Sequence, residues 1–502
     1  MTIDPVEGEL SEIVGDLGQS AARGATATAV AFFLTQALLF FIYIGLAHLT
    51  TPAIFGVYAA GGVLLASGGM LSESGMSSAL VQRRDQVEAA AATALVSTAL
   101  SGLSLTLLAL ALSPLVGLVF HSHQIALVSA ALSGTMFLNG ISGVPAAMLQ
   151  RRISARRFAI AEPIGVAALG IGSAVGLEAG FGVWGLVLGW YAHQLSYVVA
   201  IWLTAGWRPQ LRLASWALWR ELSSFGRHIL ASELLKEAMR VTTAVAVGRT
   251  LGAAALGNFR FGMRLVTQLT QPVLMACAWT IQPTLLRLAD EPTRAREVAL
   301  RSFRLVTFVA FPIGAAFIPF GVPIAVLLFG DAWRGAGTVM AALSGMGIAL
   351  ALEAVSIEIF KVTGRPDILP RLHGLWAVLS IALVIALVRF GAVGAGIAWS
   401  LSTAIVALVA VAIVPQTLGV SRRELAEAIL PALAGALLVA NALRLAQVFL
   451  GWEPRANVAT LGLLLVQAAA GIGAYVGVMT LFARSGVREL IDVLRLLLSG
   501  RR

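Results

Sequence analysis

Leu372–Val414, LHGLWAVLSIALVIALVRFGAVGAGIAWSLSTAIVALVAVAIV, holds two apolar runs divided at Arg389-Phe390-Gly391, with no carboxylate in either. Each run is about 20 residues, enough to cross roughly 30 Å of hydrocarbon as a helix. Similar stretches recur from Ala25 to Phe482 without the ten-residue alternation of a membrane barrel, so the backbone is satisfied helix by helix. Hydrophobic residues make up 58% of the 502 and charged residues 12%, with a mean hydropathy of +0.88, which excludes a soluble fold.

The spans fall at about 25–47, 55–79, 91–119, 125–149, 158–178, 182–204, 222–247, 254–281, 303–328, 337–360, 372–390, 393–414, 425–447 and 458–482. Within the opening stretch, Phe390–Trp399 (FGAVGAGIAW) aligns with Phe181–Trp190 (FGVWGLVLGW). Leu49–Gly56 (LTTPAIFG) likewise aligns with Leu251–Gly257 (LGAAALG), each just after the first span of a six-span set. An offset of roughly 200 to 210 residues therefore relates two halves of six spans. Six is even, so both halves enter the membrane in the same orientation, as parallel repeats. The expected fold is an all-α polytopic membrane protein of about 14 transmembrane helices: two six-helix pseudo-symmetric parallel repeats plus two C-terminal helices. Its segments are a polar leader (1–22), an N-terminal lobe (23–207), a C-terminal lobe (208–420), two additional transmembrane helices (421–484) and a tail (485–502).

Basic residues alternate between loops. One side collects 25 of the 35, among them Arg83, Arg84, Arg151, Arg208, Arg212, Arg220, Arg296 and Arg304, and the other has six. The positive-inside rule then places both termini in the cytoplasm. The net charge of +10 reflects this topology and contact with anionic lipid, and carries no nucleic-acid inference. The acidic leader has no basic region or small-residue cleavage site, so it reads as cytoplasmic and not as a signal peptide. In the tail Val487, Leu490, Ile491, Leu494 and Leu498 alternate with charges at helical spacing, an interfacial amphipathic helix. Cys277 is a small packing residue, and a lone cysteine permits no intramolecular disulfide.

Ionisable groups inside a membrane are costly and usually face a cavity or a partner. Span 7 carries Glu233, Lys236, Glu237 and Arg240 within about 100° of the helix circumference. This reads as a charged cavity wall, or else as a structural cluster neutralised by local Glu–Lys contacts. Span 8 adds Arg260, Arg264, Thr267, Gln268 and Gln271 on one face, where Arg260 can instead snorkel to the outer interface. Glu73 in span 2, Glu353 in span 10, and Thr135, Asn139 and Ser142 in span 4 complete the set. The hydroxyls and amides can equally join helices together. Glu358 and Lys361 read as a surface pair. Arg and Lys in a cavity suit an anionic substrate, phosphate above all, while the acids are candidates for a coupling cation. There is no GxxxxGK[ST] loop, no clustered His/Cys metal set and no large extramembrane domain, so neither an enzyme, a metal site nor a cofactor is expected. His121 and His123 read as an exposed outer loop.

Several ordered segments resemble the polysaccharide-exporter branch of the MOP superfamily, the Wzx-type O-antigen, colanic-acid and exopolysaccharide flippases. They are LTTPAIFGVYAAG (49–61), SESGMSSALVQRRD (72–85), MLQRRISARRFA (148–159), AVGRTLGAAALGNFRFGMRLV (246–266), IQPTLLRLADEPTRARE (281–297) and KVTGRPDILPRLHG (361–374). The resemblance implies a lipid-pyrophosphate-linked oligosaccharide flipped across a bacterial inner membrane through a central cationic cavity, with Arg240 and Arg264 at the family's Arg positions. It also implies work alongside a polysaccharide polymerase and glycosyltransferases. Because the expected cavity lies between halves of one chain, a monomer is expected. Glu73 stands where an Asp is usual and Thr243 where an acid is frequent, which puts a shared ion-coupling scheme in doubt. Two other readings stand beside this one: a cation-coupled multidrug efflux antiporter of the same fold, and a membrane polysaccharide polymerase or ligase.

Overall fold

The computed structural model describes residues 30–65, 76–83, 85–151, 155–288, 291–365, 367–482 and 489. Among the described residues there is no strand. The helices are α1 (Val30–Leu49), α2 (Pro52–Gly61), α3 (Met76–Gln82), α4 (Val87–Phe120), α5 (His123–Ser133), α6 (Thr135–Arg151), α7 (Ala155–Glu178), α8 (Val183–Ala205) and α9 (Trp216–Leu251). They continue as α10 (Ala253–Arg287), α11 (Pro292–Phe329), α12 (Arg334–Ala342), α13 (Ser344–Val362), α14 (Ile368–Leu387), α15 (Gly391–Leu418), α16 (Arg422–Phe449) and α17 (Val458–Phe482). The all-α polytopic class is therefore borne out.

Nine described helical stretches are long and apolar enough to cross a membrane, or ten when the pair bent by 42° at Leu343 counts as one span. One of these stretches, Ile368–Leu418, contains both α14 and α15. At 36 and 35 residues α9 and α10 are also long enough, but polar residues such as Arg240, Arg264, Gln268 and Gln271 keep them out of the apolar set. The middle of the expected span 55–79 lies outside the described residues, as do the leader and all of the tail but Glu489.

The helix ends carry the repeat. α4 stops at Phe120 and α11 at Phe329, α7 at Glu178 and α14 at Leu387, and the breaks before α6 and α13 fall at Gly134 and Leu343. All three pairs lie at an offset of 209, the spacing that also relates Trp190 to Trp399. Positive φ follows both long helices, at His121 (52°) and Gly330 (90°).

The chain divides into two compact units: residues up to Thr50 with 57–237, and residues 51–56 with 238–502. In the first, α4 packs on α5 and α6, α6 on α8, and α7 on α8. The α7–α8 pair is backbone-close because a Cβ on Gly185 would stand 2.7 Å from Leu177 N, and one on Gly189 would meet Ser173 Oγ. Gly185-x-x-x-Gly189 thus supplies the small-residue spacing that lets two membrane helices touch. At one edge of this unit Arg151 donates to the carbonyls of Leu80, Val81 and Arg83, and Arg83 pairs with Glu221 at 2.9 Å.

In the second unit α11 packs on α12, α13 and α16, and α13 on α15, around buried Phe303, Phe311, Phe360 and Val406. Pro292 opens α11, where its missing N–H costs nothing, and a reciprocal capping box between Ser421 and Glu424 opens α16. The first turns of α2 and α10 cross at paired small residues. A Cβ on Gly56 would meet the Ala253 carbonyl, and a Cβ on Gly257 the Pro52 carbonyl. These are the two loop motifs aligned as repeats above. Beside them Phe55, Phe261, Phe329 and Trp333 form an aromatic cluster, with Phe261 and Trp333 centroids 4.2 Å apart. The Glu358–Lys361 pair forms at 2.7 Å, but it is not the surface pair expected: Glu358 is buried because its position on α13 turns into the helical core.

Candidate functional site

Intramembrane hydroxyls are mostly spent on their own helices. Thr243, Thr270, Thr307 and Ser356 each donate to a carbonyl four residues back on their own helix, and Thr135 donates to Leu132 O across the break between α5 and α6.

Asn139 is different. Its Oδ1 accepts from Gln194 Nε2 at 2.5 Å, and Gln194 Oε1 lies 3.0 Å from His193 Nδ1. His193 Nε2 is 3.6 Å from Glu162 Oε1, which completes a chain from α6 through α8 to α7. His193 and Gln194 are buried, at 8% and 3% exposure, while the Glu162 side chain is half exposed. The imidazole lies parallel between Trp190 (5.2 Å) and Tyr197 (6.3 Å). A Gln carbonyl oxygen accepts only, so the contact places the Nδ1 hydrogen toward Gln194 and leaves Nε2 facing the Glu162 carboxyl.

Sequence reasoning found Asn139 and missed the three residues that complete the chain. The rule that singled out span 7 also applies to a histidine and a glutamate within spans 5 and 6. At the repeat offset, Ser402 and Thr403 stand where the first half has His193 and Gln194. They bond Ser380 Oγ at 2.8 Å and accept from Trp376 Nε1 at 3.1 Å, so this layer is uncharged in the second half. Trp399 donates to Thr243 Oγ1 at 3.1 Å. Thr243, where the resemblance leads one to expect an acid, is thus a buried acceptor between α9 and α15.

Of the cationic set, Arg240 on α9 and Arg260 on α10 are half-buried, and Arg264, one turn further along α10, is exposed. Gln268 follows on the same face, half-buried. α10 packs against α13, which carries half-buried Glu353. Glu237 is buried at 2% exposure. The side chains of Glu233, Lys236 and Cys277, and all of Glu73, lie outside the described residues. Among the described residues no group of three His, Cys, Asp or Glu could hold a metal ion.

A family described as "Polysaccharide biosynthesis protein" matches residues 45–338, more than half of the chain. The succinoglycan biosynthesis transport protein ExoT of Rhizobium meliloti (strain 1021) is 24% identical over 353 residues, 69% of each chain. Among solved structures, the lipid II flippase MurJ in an inward closed conformation superposes with a TM-score of 0.70 at 12% identity, covering 92% of this chain and 99% of that one. An inward-facing multidrug resistance MATE family transporter of the MOP superfamily gives a TM-score of 0.61 at 18% identity, covering 78% and 98%.

Proposed function

The chain belongs to the polysaccharide biosynthesis protein family and has the MOP-superfamily transporter fold, and from that premise we propose that it flips a lipid-pyrophosphate-linked oligosaccharide across the bacterial inner membrane. The family match carries this reading, since it covers the helices rich in intramembrane charge and most of the first lobe. Transport proceeds by alternating access through a central cationic cavity in which Arg240, Arg264, Lys236 and Arg260 contact the pyrophosphate. Forked guanidinium donors match paired phosphate oxygens, and in a low dielectric such contacts strengthen. Glu233, Glu237, Glu73 and Glu353 balance that charge or carry the coupling ion. The protein acts as a monomer, taking substrate from glycosyltransferases and delivering it to a polymerase for surface polysaccharide synthesis.

The test compares wild type, Arg240→Ala and Arg264→Ala in a strain lacking the protein. Surface polymer and the cytoplasmic-leaflet lipid-linked intermediate are scored at equal membrane levels. Reduced polymer with accumulated intermediate is expected for both variants. Unchanged export would remove the Arg roles. A deletion that alters neither quantity but sensitises cells to cationic drugs would favour the antiporter reading, which the MATE-like fold also supports.

A further inference from the structure

A groove of about 600 Å³ runs along the first unit between α4 and the start of α9. Its floor is one face of α4, where Thr93, Ser97, Ser101 and Ser104 recur at helical spacing beside Leu100 and Leu105. Its rim is Trp216 and Trp219, stacked at 4.2 Å, with Trp216 67% exposed. The rim is fixed to the floor: Trp219 Nε1 donates to Ser97 Oγ at 3.0 Å and Ser215 N to Thr93 Oγ1 at 3.0 Å.

Two features identify the occupant. Leu100, Leu103, Leu107 and Leu108 leave the surrounding surface of α4 exposed and apolar, so the groove opens toward hydrocarbon. The segment that forms its rim carries Arg208, Arg212 and Arg220, all exposed and without an ion pair among the described residues. Of the neighbouring carboxylates, Glu221 is paired with Arg83, and Glu88 accepts from Trp207 Nε1 at 2.8 Å, so one carboxylate charge stands against the three arginines. An apolar slot under an aromatic rim, on a segment with an excess of cations, matches a lipid with an anionic headgroup.

We propose that this groove binds one anionic phospholipid of the leaflet that the basic loops face, an acyl chain lying along Leu100 and Leu105 beneath Trp216 and the phosphate facing Arg212 and Arg220. The site is independent of the substrate reading above, because its lining includes none of the residues assigned there.

Native mass spectrometry of the full-length protein, loaded with equal phosphatidylglycerol and phosphatidylcholine, tests it. One retained phosphatidylglycerol per chain is expected, preferred on the order of tenfold. The double variant Arg212→Gln/Arg220→Gln brings that preference close to one, and Ser104→Trp, which fills the slot, removes both lipids. The Arg double variant decides alone if Ser104→Trp does not elute as folded protein. Unchanged selectivity in the Arg variant overturns the proposal. So does a polyprenyl phosphate that displaces phosphatidylglycerol at equal concentration, which would give the groove to an isoprenoid lipid.

Discussion

His193 sits where an unpaired polar group is most costly, and each of its ring nitrogens faces an oxygen. The chain to Asn139 has a measurable signature. Asn139→Leu strands the Gln194 amide and should destabilise the protein by about 1–3 kcal/mol, whereas Asn139→Leu/Gln194→Leu removes both partners and should recover part of that loss. Thermal unfolding of these two variants and of Gln194→Leu in one detergent closes the cycle, and additive losses would show that the 2.5 Å contact contributes no coupling. A single helix sequence displays the polar residue but not its partner: Asn139 and Gln194 are 55 positions apart, on different helices. Thr243 shows the converse. Its departure from an acidic pattern is visible in the sequence, but the indole that bonds it, Trp399, lies 156 positions away.

Helix ends were more legible than helix faces. The alignment of Phe181–Trp190 with Phe390–Trp399 locates the offset that the ends of α4, α7, α11 and α14 then follow, because a glycine or a tight turn must end a helix wherever the chain reverses. The second weak match, LTTPAIFG with LGAAALG, acquires a physical reason in the crossing of Gly56 and Gly257: each backbone fills the space a side chain would need. Gly257→Val should therefore destabilise by at least the roughly 1–3 kcal/mol typical of overpacking. Gly473→Ala on α17, where nothing lies within 4 Å of an added Cβ, should leave stability unchanged. Comparable yields of folded protein from the two variants would argue against a tight crossing. The spans expected at 222–247 and 254–281 were legible as helices, while their charges lower the hydropathy that marks the other spans, and the structure supplies their full lengths of 36 and 35 residues.

Across the whole molecule, the polar links within each unit join segments that the alternation of basic loops assigns to one face. Arg83 meets Glu221, Arg296 meets Glu424 at 2.5 Å and Arg304 meets Glu489 at 2.7 Å, all from arginine-rich loops. At the other face Arg334 holds Asp331 at 2.8 Å and donates to the Pro454 carbonyl at 3.3 Å. In a Cys277→Ala background, a membrane-impermeant thiol reagent added outside should label Ser122→Cys and Glu453→Cys but not Ser421→Cys; the reverse pattern would invert the topology.

Those clasps have a further effect on α16 and α17. One end of the pair contacts α11 through Glu424 and Glu489, the loop at the other end contacts Arg334 at the start of α12 through the Pro454 carbonyl, and Tyr475 Oη donates to the Phe308 carbonyl between them at 3.1 Å. The last two helices are therefore expected to travel with the second unit: a dye fixed at exposed Leu465 should report the orientation of that unit, and an independent movement of the dye would show that these contacts do not hold the pair.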